Sequence, residues 1–300
     1  MAKLALIVHT ALDEARMQML GTQVLFGFQL QGAFQESFAD VPPIVRGVDA
    51  FGLSLLIVTL GFLIAGPSQH RLVEQGEATK RILAVANRFA EAALLPFALA
   101  LGCDVYVVLW RYWEDAAISA GIASAGLALV LWYGLGRLLR PLAPRKEDPL
   151  QEAPTELHEK IDQMLTEARV ILPGAQALLG FQFIVTMAKP FAELPALDRD
   201  IHFAGLGAVA LAVMLLLTPA TVHRLAFAGR DVERFHDIGS LLITAALAPL
   251  VLGLAADFYV AAARMTASAT IAATGAALAA LLLLTLWFGV PLFLRRKVRN

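Results

Sequence analysis

The chain has 300 residues, 58% hydrophobic and only 16% charged, with a formal net charge of −1 and a mean hydropathy of +0.68. A soluble domain is about a quarter charged, so the surplus of Leu, Ala, Val and Phe excludes an ordinary soluble fold. The single cysteine, Cys103, excludes an intrachain disulfide and a cysteine-based zinc site.

The apolar residues come in blocks of about 20, the length that spans hydrocarbon at 1.5 Å per residue. Eight hydrophobic helices are predicted, at roughly 17–38, 48–66, 82–109, 116–139, 170–189, 203–219, 238–262 and 267–294. No removable leader is expected, because the early apolar run ends in Leu12-Asp13-Glu14-Ala15-Arg16 without a small-residue cleavage site. Residues 140–160 are charged, hold four prolines and lack an apolar period, which reads as a solvated linker. From Thr155 to Arg169 charged and apolar positions alternate, predicting a short amphipathic lead-in helix.

The linker divides two copies of one unit. Shifted by 153 residues, the halves align without a gap: LDEARMQMLGTQVLFGFQ, 12–29, meets LTEARVILPGAQALLGFQ, 165–182, and Asp104-Val105-Tyr106-Val107 meets Asp257-Phe258-Tyr259-Val260. Residues 12–107 give 31 identities in 96 pairs, a strong signal of tandem duplication. Each copy has an even number of helices, so both start on the same side of the membrane, and the repeats are parallel rather than inverted. The expected fold is therefore an all-α integral membrane protein of eight transmembrane helices, as two parallel four-helix repeats, 1–139 and 161–300, joined by the linker. With the N-terminus inside, the inner segments hold 18 Lys and Arg and the outer loops 5, which predicts cytoplasmic termini.

The pattern LxEARxxLPGxQxLLGFQ, then PF near the helix end and PxxxHRL after the next helix, resembles a domain-of-unknown-function family of small bacterial membrane proteins with about four helices per unit. The second copy carries it best, in Glu167, Arg169, Pro173-Gly174, Gln176, Pro190-Phe191, Pro219 and His223-Arg224-Leu225. The first departs at Leu20 and Ser37. The resemblance implies a bacterial cytoplasmic-membrane protein and brings no activity with it.

Polar residues inside the apolar blocks are the remaining signal. Arg16, Gln23 and Gly27 share one face of the first helix, and Arg169, Gln176 and Gly180 repeat that stripe. An amide in hydrocarbon needs a partner, and a glycine lets a neighbouring helix supply one, so the stripe reads either as interhelical glue or as the lining of a pathway between the halves. Gln29 and Gln182 fall on nearly the opposite face. Gln31 and Gln35 have no amide counterparts, only Ile184 and Ala188, which marks them for a specific role. Arg88 and Glu91 lie one turn apart on the third helix, about 9–13 Å from its inner end. Leu241 and Thr244 replace them in the second copy. Intramembrane charges are functional candidates by default, against a neutralised pair or a snorkelling arginine. Asp104 and Asp257, near the outer ends of their helices and each two residues before a Tyr, read as interfacial carboxylates or as paired acidic sites that attract cations. His70-Arg71 and His223-Arg224 are expected to complement helix C-termini and face the anionic leaflet. Glu14-Arg16 and Glu167-Arg169 are expected to pair with other inner segments, such as these His-Arg loops.

No Walker A, GxGxxG, HExxH, GxSxG or CxxC motif is present, and no basic face interleaved with aromatics supports nucleic-acid binding. The expectation is a non-enzymatic bilayer protein without cofactor or metal that passes a small ion or solute, with Arg88, Glu91, Gln31, Gln23 and Gln176 as the polar pathway and Asp104 and Asp257 as outer acidic sites. The alternative is a structural protein, or one that binds a membrane partner or another copy of itself, with all polar groups as glue. A minor third reading is a haem protein or intramembrane enzyme.

Overall fold

The structure is a computed structural model and describes residues 2–110, 112–134, 137–138, 154–227 and 229–299. Among these residues there is no strand, and eight long helices follow one another: α1 (Ala2–Gly32), α2 (Pro43–Leu72), α3 (Lys80–Trp110), α4 (Glu114–Leu129), α5 (Leu157–Thr186), α6 (Ala196–Leu225), α7 (Glu233–Thr266) and α8 (Ala269–Leu284). α4 ends in a π turn, Val130–Gly134, and α8 runs through another, Thr285–Gly289, into α9 (Val290–Arg299). Of the predicted linker, residues 140–153 lie outside the described residues, as does Arg111.

Local chemistry sets the helix ends. Pro43 opens α2 at a position where its missing N–H costs nothing. Thr79 caps α3 by accepting from the Ile82 amide at 3.1 Å, and Ser268 caps α8 through the Ile271 amide at 3.3 Å. The helices overshoot the predicted apolar runs, because polar end turns continue the same helix beyond them. The amphipathic lead-in is one helix with the span that follows it, so α5 starts at Leu157 rather than near 170. The first helix differs most. It begins at Ala2 and ends at Gly32, followed by a short 3₁₀ turn over Glu36–Asp40, so Gln35 lies outside it.

Seven described helices, α2 to α8 with its continuation, are long and apolar enough to cross a membrane. α1 is as long, but Gln18, Gln23, Gln29 and Gln31 lower its hydropathy. The chain is thus a helical, multi-pass membrane protein.

α1 and α5 run side by side in the same direction at the centre. Equivalent residues meet along them: His9 lies 3.5 Å from Asp162 and the Phe28 and Phe181 rings stand 4.8 Å apart, each pair 153 residues apart in sequence. The ends of α1 and α5 that lead into α2 and α6 form the turn end of the molecule. The opposite end, with the loops 73–79 and 226–232, is the terminal end. Around the central pair the copies diverge. α2 crosses the seam to pack on α7 and on the π turn of α8, where Trp287, fully buried, donates to the Gly61 carbonyl at 3.1 Å. Trp132, the third residue of the π turn after α4 as Trp287 is of the turn after α8, stacks on Phe97 of its own copy at 5.6 Å.

Candidate functional site

Three helices of each copy bring one polar cluster together near the turn end. In the first copy α1 supplies Gln29, α2 Asp49 and α3 Asp104. In the second, α5 supplies Gln182, α6 His202 and α7 Asp257, each 153 residues on. The Gln29 amide donates to the Asp104 carboxylate, and Gln182 donates to Asp257 at 2.7 Å. Gly52 makes room for the first pair. A Cβ there would stand 2.9 Å from the Gln29 amide nitrogen and 3.1 Å from the Cys103 Cβ. Gly205 serves the same approach in the second copy, where a Cβ would meet Ala256 at 2.7 Å.

The two clusters each hold unpartnered acceptors and differ in enclosure. In the second copy His202 and Asp257 are fully buried. The His202 Nε2 lies 3.2 Å from the Gln182 carbonyl, and a carbonyl only accepts, so Nε2 carries the proton. His202 Nδ1 faces Asp257 at 3.7 Å, and the Phe191 ring meets the imidazole edge-on at 5.0 Å. In the first copy a cavity of about 560 Å³ opens onto Gln29, Asp49 and Asp104, walled by Phe28, Phe38 and Trp110. Asp49 is only 6% exposed and its carboxylate has no hydrogen-bond or ion-pair partner among the described residues. Gln29 Oε1 and Asp104 Oδ2 are also unpartnered. Arg46, one turn before Asp49, forms no ion pair with either carboxylate among the described residues. Unpaired acceptors at the floor of an apolar cavity suit a cationic guest. No group of three His, Cys, Asp or Glu among the described residues could hold a metal ion.

The residues singled out from sequence fall in several places. Asp104 and Asp257 belong to these clusters, not to a bare interfacial belt. Gln35 lines the cavity, whereas Gln31 does not and accepts the Gln35 amide at its backbone carbonyl, 3.4 Å away. Gln23 and Gln176 are not equivalent in space. Gln23 is buried against Gly174 with both amide atoms unpartnered, and Gln176 is exposed. Arg88 and Glu91 lie on the exposed face of α3, form no ion pair with each other and do not line the cavity. The Tyr133 hydroxyl, near the end of α4, donates to the Glu91 carbonyl at 2.5 Å. Glu91 is thus level with the π turn that follows α4. Asp49 and His202 escaped the sequence reading. Their signal was positional, since they occupy the same repeat register as one another, but their types differ and no identity marked them.

A second polar node fastens the copies at the terminal end. Glu167 of α5 is 1% exposed, receives a hydrogen bond from Arg71 and lies 2.5 Å from His70 Nδ1. His70 and Arg71 are therefore buried across the seam instead of facing lipid headgroups. The mirror-image contact is not made: Glu14 and Arg224 are exposed, and His223 stacks on Phe235 at 4.3 Å. Beside the node, Glu77 accepts from Lys160 at 2.5 Å and from the Thr155 amide at 2.8 Å. Burial pushes the Glu77 carboxyl up, but these bonds outweigh it and hold it below its ordinary value.

No curated protein and no solved structure matches the chain. The profile of DUF6328, a family of unknown function, matches twice, over residues 7–136 and 151–291. Two matches that divide the chain where the register repeats, and that cover most of it, make this protein a member of the DUF6328 family in tandem duplicate.

Proposed function

We propose that the chain is a protein of the bacterial cytoplasmic membrane, built from two parallel four-helix repeats with eight spans, that takes small cations into the cavity of its first repeat. The observation that carries this reading is the meeting of Asp49, Gln29 and Asp104 at one cavity, with acceptors that no protein donor satisfies. α1 serves as the eighth span, since it packs against α2, α3 and α5 and so offers its amides protein neighbours rather than lipid alone. The Lys and Arg asymmetry supports a cytoplasmic terminal end. That puts the cavity on the outer side, where carboxylates concentrate cations. The reading is non-enzymatic: the cavity gathers acceptors and apolar walls, and the sequence motifs of hydrolytic and nucleotide chemistry are absent.

A structural role without transport is the second reading. The Glu167 node favours it, because there polar groups act purely as fasteners between helices. Flux of protons, monovalent cations and neutral solutes into proteoliposomes separates the two. The expected result is cation flux above empty liposomes that Asp49→Asn reduces at least tenfold. Arg88→Ala and Glu91→Gln, run alongside, test for a route along α3. Absence of flux for every solute, with the protein folded and inserted, favours the structural role.

A further inference from the structure

We propose that the guest of the turn-end cavity is a protonated amine with a small hydrocarbon body, an inference that rests on reading the cavity as a cation site. Three features select this class over a bare ion. The first is size and wall chemistry. About 560 Å³ is in the range of organic-ligand pockets, and most of the lining is apolar or aromatic, from Phe28, Phe38, Val107 and Trp110. A hydrated metal ion gains little from such walls, whereas an alkyl or aryl group is desolvated by them and a cationic nitrogen is attracted to the ring faces.

The second is the donor set. Asp49, Asp104, Gln29, Gln35 and Ser37 share the lining with a majority of apolar and aromatic residues, and magnesium keeps several waters that such walls would leave unsatisfied.

The third is what the floor lacks. Asp49, 6% exposed, accepts no hydrogen bond from the described residues, and the more deeply enclosed Gln29 Oε1 and Asp104 Oδ2 have no donor either. Each wants an N–H. An ammonium in the cavity supplies N–H bonds to the Asp49 carboxylate, with its body turned toward Phe28 and Trp110. A quaternary ammonium carries the same charge and no N–H, so it leaves these acceptors unpaired. The second copy is the internal contrast. There Gln182 Oε1 and Asp257 Oδ1 are unpartnered as well, but the imidazole of His202 occupies the position of Asp49 and the cluster is fully buried.

The test is isothermal titration of the full chain in nanodiscs with phenethylammonium, its trimethylated quaternary analogue, and sodium, potassium and calcium chlorides. The variants are Asp49→Asn, Asp49→Glu and Val107→Trp, each checked for an unchanged thermal midpoint. The expected result is one phenethylammonium per chain, bound at least tenfold more tightly than the quaternary analogue. Asp49→Asn and Val107→Trp should each weaken it at least tenfold, and Asp49→Glu should retain it. Equal binding of the quaternary analogue overturns the N–H argument. Binding of inorganic cations that depends on Asp49, without amine binding, overturns the amine inference and leaves the cation site standing. Amine binding that none of the variants alters overturns the assignment to this cavity. No binding of any cation overturns both readings.

Discussion

In the first copy α2 is the most enclosed span, with 61% of its apolar window buried inside the protein, whereas its counterpart α6 has 33%. The same exchange runs through the bundle. Glu167 is locked between His70 and Arg71 while Glu14 is exposed, Trp287 is buried against α2 while Trp132 stays on its own copy, and Asp49 faces a cavity while His202 is sealed. A symmetric pair must make every interface contact twice. One continuous chain need not, so one copy can carry the seam and keep a cavity open while the other closes the corresponding site. The comparison also shows where duplication left symmetry intact: at the central α1–α5 pair, where residues 153 apart meet each other.

The widest gap between the copies should appear at the terminal end. Glu167→Gln leaves the buried Arg71 charge without its counter-ion and is expected to cost about 3–5 kcal/mol, whereas Glu14→Gln should change stability by less than about 0.5 kcal/mol. Unfolding in mixed micelles measures both, and equal losses would break the asymmetry. Next come the amide–carboxylate pairs. Asp257→Ala strands the Gln182 donor in a sealed site, for about 1–3 kcal/mol. Asp104→Ala exposes Gln29 to the cavity, where water replaces the lost acceptor, so its loss should be the smaller in the same assay. Trp287→Phe removes the bond to Gly61 and should cost about 0.5–1.5 kcal/mol, with Trp132→Phe near neutral.

The smallest effect is pH-dependent and confined to the loop between α2 and α3. The folded-state pKa of Glu77 is depressed, so its contribution is complete above the unfolded value, about 4.3, and is lost as pH falls through the lower folded value. Amide protection in residues 73–79, corrected for the intrinsic pH dependence of exchange, should therefore fall as pH drops below about 4.3. Lys160→Met should show the lowered protection already at the higher pH. No pH difference in the wild type would mean that the Lys160 bond contributes nothing to the loop.

The helical membrane class and the family in tandem were legible because each rests on many residues at once: apolar blocks of membrane length, and a register that repeats without a gap. The site was half legible. Asp104, Asp257 and the four amides of 20–38 stood out as polar residues in apolar surroundings, and Asp104 and Gln35 do reach the cavity. The helical wheel could not tell Gln23 from Gln176, because their fates depend on which flank of α1 or α5 meets the other helix. Arg88 and Glu91 fall outside the cavity because they stand on the exposed face of α3, a direction that their spacing along the helix does not give. Asp49 was hidden by the very divergence that makes it interesting, an aspartate in register with a histidine.

The bond from Trp287 to Gly61 joins residues 226 positions apart, which has a consequence for biosynthesis. At roughly 5–20 residues per second, α2 leaves the ribosome on the order of ten to forty seconds before the residue that closes over it. During that interval its seam-facing flank has neither α7 nor α8 to pack against, and the first repeat can reach only a provisional arrangement. The π turn that closes over α2 is thus synthesised after α3 to α7, so the first copy is completed only by a late part of the second.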